Sequence, residues 1–238
     1  MMDAGAIAWK EWRELLGQRG MRGKQGIILF AAAFGIVLPL MNGPAWITSP
    51  IIALAWSWVP MFLVTTVIAD AFAGERERHT LETLLATRLT EGAMLFGKIG
   101  AAIGYAFALT AASVVLGLVT VNLAHPEGGM LLYPLPVVGA MLVLGLLGSV
   151  FVAAVGVLIS LRAATVRQAQ QTLGAAIMVL LLAPLGAVKL MPSAWPHGLE
   201  AVSMAQLAIP GLAAFAALDA AVLALAMRRF NRARLIAE

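Results

Sequence analysis

The chain has 238 residues, of which 61% are hydrophobic and 12% charged, with a formal net charge of +4. A soluble domain carries about 25% charged residues, so this composition excludes a water-exposed globule and leaves lipid to cover the surface. The basic excess does not point to nucleic acid, because the basic residues sit in short segments between apolar runs; the absence of cysteine removes disulfides, thiol catalysis and cysteine metal sites.

Residues 1–25 come first, as a polar, cytoplasmic amphipathic helix. Ala8, Trp9, Trp12, Leu15 and Leu16 recur at helical spacing, with Lys10, Glu11, Arg13 and Glu14 between them. The pattern predicts a helix lying in the membrane interface with both tryptophans at headgroup level, as a lipid anchor or as a connection to a cytoplasmic partner. No cleavable signal is expected, since the first apolar run ends in Met41-Asn42-Gly43-Pro44.

Six apolar runs follow, at Gly26–Met41, Ile51–Ala69, Ile99–Val121, Pro136–Ser160, Thr172–Leu190 and Leu207–Met227. About 20 helical residues cross the hydrocarbon core. The predicted fold is therefore all-α: a six-helix transmembrane domain over 26–227 and a basic tail over 228–238. Of the 16 basic residues, all but Lys189 fall on one side of this arrangement. That asymmetry orients both termini to the cytoplasm. The abundance of Ala, Gly, Leu and Arg fits a GC-rich bacterial gene, so the expected location is a bacterial inner membrane.

The longest predicted cytoplasmic connection runs from Asp70 to Lys98. Leu81, Leu84, Leu85 and Leu89 share one helical face, and Glu75 and Glu77 are expected near the start of that short helix, where acids suit the dipole. The Leu face fits either lipid headgroups or a partner protein, with the acids favouring the protein. Gly92 to Lys98 has the G-x-x-x-x-G-K spacing of a phosphate loop, but Ile99 stands where Ser or Thr holds magnesium and no strand precedes it. Asp219 falls inside the sixth run, where a lone acid needs a partner, water or a role in a transport path. Gly100 and Gly104 form a small-xxx-small pair suited to helix packing. His125 and His197 stand apart from carboxylates in the outer loops and do not read as metal ligands.

Gly74-Glu75-Arg76-Glu77-Arg78, Thr80-Leu81-Glu82, Leu84-Leu85-Ala86-Thr87 and Gly97-Lys98 resemble the signature of ABC-2 type transporter permeases, G-E-[RK]-E-[RK]-G-T-L-E-x-L-L-A-T-P followed by Gly-Lys. The chain departs from it at His79, where Gly is usual, and at Arg88, where Pro is usual. The resemblance implies a coupling helix within 74–97 that docks on a separate ABC ATPase subunit. Glu75, Arg76, Glu77, Thr80, Leu81, Glu82, Leu84 and Leu85 would form much of that contact. It also implies a non-enzymatic exporter subunit that pairs with a second permease chain, with ATP and magnesium held by the partner ATPase and no cofactor on this chain. The alternative is an ion-coupled secondary transporter using Asp219.

Overall fold

Lipid offers no partner to backbone N–H and C=O groups, and a helix satisfies them internally. In the computed structural model of the chain, which describes residues 2–17, 21–80, 88–126, 129–190 and 204–230, the regular structure is helical throughout. The helices are α1 (Met2–Gly17), α2 (Met21–Ala32), a π-turn (Ala33–Val37), α3 (Leu38–Asn42), α4 (Ala45–Thr48), α5 (Pro50–Trp56) and α6 (Trp58–Glu77). After them come α7 (Glu91–Ala124), α8 (Leu135–Ser160), α9 (Val166–Leu190) and α10 (Met204–Arg229). Five stretches among the described residues are long and apolar enough to cross a membrane: Gln25–Asn42, Trp58–Glu77, Glu91–Ala124, Leu135–Ser160 and Ile209–Arg229. The predicted fifth run, Thr172–Leu190, lies within α9.

Two boundaries differ from the sequence expectation. The second span starts at Trp58, not Ile51, and continues to Glu77. Pro60 has no N–H to give to a preceding turn, so it belongs in a first turn; residues 50–56 form a separate short helix before Ser57. The third span begins at Glu91 rather than Ile99, because the Thr90 hydroxyl accepts the Ala93 N–H at 3.2 Å and caps the helix there. Residues 92–98 are therefore helical, and their glycines and lysine do not form a phosphate-cradling loop. Glu75 and Glu77 lie in the last turn of α6, not at the start of a new helix.

The chain divides into two units, Met1–Val67 with Arg88–Ala153, and Ile68–Thr87 with Ala154–Glu238. In the first unit α1 packs along α7. The Trp12 Nε1–H donates to the Ala101 carbonyl at 3.2 Å, its ring meets the gap left by Gly104, and the Lys98 ammonium reaches Glu11 at 2.7 Å. The two tryptophans of α1 thus part company: Trp12 faces α7, while Trp9 is 66% exposed. Gly104 serves α1 rather than a glycine seam with Gly100, which faces open space.

The first span meets α7 through a proline device. Pro39 cannot donate to the carbonyl four residues back, that of Gly35. The Thr120 hydroxyl lies 2.8 Å from that carbonyl and 2.8 Å from its own Leu116 carbonyl, sharing its proton between them. The π-turn sits directly before the proline, a usual place for such a bulge to absorb a break in the ladder. Beyond it, Trp46, Ile47, Trp56 and Val121 form a buried cluster with Phe34 and Tyr133 against its edge. Burial there pushes the Tyr133 hydroxyl up to about 12. Asn122 exchanges two hydrogen bonds with the Leu131 backbone through its side-chain amide, at 2.7 and 3.0 Å.

Candidate functional site

The second unit is organised around the end of α6. Ala69, Ala71, Phe72, Ala73 and Glu75 are buried there, with Phe72 5.2 Å from the Phe230 ring after α10. Small residues let the neighbouring helix come close: a Cβ on Gly156 of α8 would lie 2.4 Å from Ile68 and 3.1 Å from Leu173 of α9. In the space so made, the fully buried Ser160 hydroxyl accepts the N–H groups of Phe72 and Ala73 at 3.1 and 2.9 Å. It donates to the Ala69 carbonyl at 3.0 Å.

Past Ser160 the chain turns through residues 161–165 into α9. The carbonyls at the end of α8 lack helical donors and carry the negative end of its dipole. Arg76 supplies both needs. Its guanidinium donates to the Ala163 carbonyl at 2.6 Å and to the Leu161 carbonyl at 2.7 Å, a bidentate geometry that lysine cannot copy.

The opposite charge serves the next helix. A Glu77 carboxylate oxygen accepts the Val166 N–H at 3.1 Å, at the positive N-terminus of α9. Thr165 accepts the Gln168 N–H at 3.2 Å, and Gln168 Oε1 accepts the Ala164 N–H at 3.0 Å, a variant of the capping box. Adjacent residues of opposite charge therefore bind the end of one helix and the start of the next.

The same turn of α6 is locked locally. Thr80 N–H donates to the Glu75 carbonyl at 2.8 Å and His79 N–H to the Arg76 carbonyl at 3.0 Å, the paired bonds of a Schellman C-cap. His79 occupies the left-handed position of that cap with φ of 57°, the conformation glycine favours. The departure from the signature at residue 79 thus leaves the backbone shape that its usual glycine suits. The Thr80 hydroxyl bonds the buried Glu75 carboxylate. Arg78 reaches back to Asp70 at 3.3 Å, and this pair crosses Gly74, where a Cβ would fall 1.9 Å from the Asp70 carboxylate.

The sequence-predicted contact residues therefore separate. Glu75, Arg76, Glu77 and Thr80 come together in this junction, with Glu75 and Arg76 turned to partners within the chain. Leu81, Glu82, Leu84 and Leu85 lie outside the described residues, as does any helix they form. Asp219 stands apart, midway along α10, 4% exposed, and both carboxylate oxygens lack a hydrogen-bond partner among the described residues. Sequence reading missed Ser160, Thr165 and Gln168. The Thr165-x-x-Gln168 spacing was a usable cap signal, whereas a serine in an apolar run carries none.

No model of a known protein family matches the chain, and no curated protein matches it.

Proposed function

We propose that the chain is the membrane subunit of an ATP-driven exporter of the ABC-2 permease type. It has six spans, with α9 as the fifth, and both termini face the cytoplasm of a bacterial cell. A separate ABC ATPase supplies the energy, and two permease chains pair in the working assembly. The observation that carries this reading is the polar junction formed by Glu75, Arg76, Glu77 and Thr80. It coincides with the first half of the permease signature, and the second half, from Leu81, follows it in the chain.

In this reading the signature has two tasks. Its charged half seats the end of the second span on the α8–α9 turn. Its leucine half, around Leu81, Leu84 and Leu85, meets the ATPase, with Glu82 on the rim. An ion-coupled transporter is the second reading, favoured by one observation: Asp219 is buried in a membrane span with neither oxygen bonded among the described residues.

Affinity purification of tagged chain from native membranes separates the two. Recovery of an ABC ATPase in about equal amount, lost in Leu84→Asp, supports the permease. A chain recovered alone that transports in vesicles without ATP refutes it and brings Asp219 forward.

A further inference from the structure

The junction holds three helix ends with an unusual division of labour. Ser160 ties α8 to the backbone of α6 at 69, 72 and 73. Arg76, one turn further, binds the carbonyls that follow α8. Glu77, the next residue, binds the first N–H of α9. Neither helix end has to be displaced for the other to be reached, because opposite ends of helices want opposite charges. Two neighbouring residues on α6 present one charge to each.

The bonds of Arg76 and Glu77 are charge-assisted, which makes them stronger than neutral ones. Around them the packing leaves little slack. Gly156 brings the α8 backbone within van der Waals reach of Ile68 and Leu173 at once, so α6, α8 and α9 interlock just inside the polar layer. The α6 end is itself rigid, closed by the Schellman bonds and by Thr80 on Glu75. A displacement applied to the chain at Thr80 has no loose turn in which to dissipate before Arg76 and Glu77.

We infer that Arg76 and Glu77 are positioning residues that make the ends of α6, α8 and α9 move as one body, so that a stroke delivered to α6 reaches the fourth and fifth spans together. This rests on the permease reading above and deepens it. The ATPase needs only one point of attachment after α6 to drive three helices. Glu75 and Arg76 belong to this inner joint, not to the surface offered to the ATPase.

The native chain has no cysteine, which makes a paired test clean. The complex of tagged chain with its co-purified ATPase carries one spin label per permease, at Arg162→Cys after α8 or at Gln170→Cys on α9, both exposed positions, and the distance between the two permease copies is read with and without magnesium-ATP and vanadate. Both distances are expected to change on trapping. Arg76→Met is expected to keep the ATPase bound but to lose that response by about tenfold, the ratio that a 1.4 kcal/mol loss of coupling produces. Glu77→Leu is expected to lose the response at residue 170, and Glu77→Gln, whose amide oxygen can still accept the Val166 N–H, to keep it.

An unchanged response in Arg76→Met overturns the inference. So does a Glu77→Leu variant that responds like its parent, because α9 would then move without this contact. A parent complex whose labels at 162 and 170 ignore nucleotide while the ATPase stays bound also overturns it. Failure to recover any ATPase is a different result: it removes the permease reading itself, and the relay with it.

Discussion

Replacing Glu11 with alanine tests how α1 is held. The Lys98 side chain is 2% exposed and that of Glu11 17%, with 2.7 Å between the charges. At an effective dielectric near 20 the attraction is about 6 kcal/mol, but most of it offsets the cost of removing both charges from water. The net worth of such a pair against an apolar replacement is near zero, whereas removing the carboxylate takes a charged hydrogen-bond partner from a buried ammonium and costs about 1.5–3 kcal/mol. Glu11→Ala is therefore expected to lower stability by about 1.5–3 kcal/mol, and Glu11→Leu with Lys98→Met to return it to within about 1 kcal/mol of wild type. Denaturant titration in detergent reads the energies. Quenching of tryptophan fluorescence reads whether Trp12 leaves Ala101. A double variant as unstable as the single one, or a single variant costing under about 1 kcal/mol, would refute the reasoning, because loss of the carboxylate from the buried ammonium could then not be the cause.

His79→Gly relieves a left-handed residue in the C-cap of α6 and should stabilise by about 1 kcal/mol, seen as slower exchange of the Thr80 amide; faster exchange contradicts the cap. Gly156→Val should cost about 1–3 kcal/mol by overpacking against Ile68 and Leu173, while Gly174→Ala, which meets nothing within 4 Å, should be neutral or better in the same melt. Asp219→Leu removes a buried carboxylate with no bonded partner among the described residues and should raise the melting temperature while ATPase coupling persists; a stabilised protein that no longer transports moves the case to the ion-coupled reading. Tyr133 should titrate near pH 12 in a Tyr105→Phe background, followed by phenolate absorbance. Because its folded value lies above the unfolded one, its contribution to stability is complete below about pH 10 and is lost as pH rises through about 12; a midpoint at the free-tyrosine value would place the hydroxyl in water.

Five of the six runs were legible as helices long and apolar enough to cross a membrane, because a run of apolar residues has one stable form in lipid. Their ends were not, because hydropathy is blind to caps. Pro60 moved the second span forward by seven residues and Thr90 moved the third back by eight, each through a single backbone hydrogen bond lost or gained. The helix α1 was legible as amphipathic, but its spacing put Trp9 and Trp12 on one face. The contact with Ala101 and the Glu11–Lys98 pair, between residues 87 apart in sequence, decided which tryptophan turned inward. The Glu-Arg-Glu-Arg run stood out in the sequence through its resemblance, yet charge on a predicted loop reads as surface. Only the carbonyls of Leu161 and Ala163 and the N–H of Val166 show what Arg76 and Glu77 hold. Likewise, Thr120 looks like an ordinary polar residue in a span until Pro39 is found to have orphaned the Gly35 carbonyl beside it.

The most direct measurement is site-specific crosslinking at Leu84. A single cysteine replaces Leu84 in the cysteine-free chain, carries a photoreactive group, and is illuminated in native membranes before the adduct is identified by mass spectrometry. The permease account predicts an adduct to an ABC ATPase that weakens when nucleotide is removed. An adduct to lipid alone, in a chain whose transport continues without ATP, would contradict it.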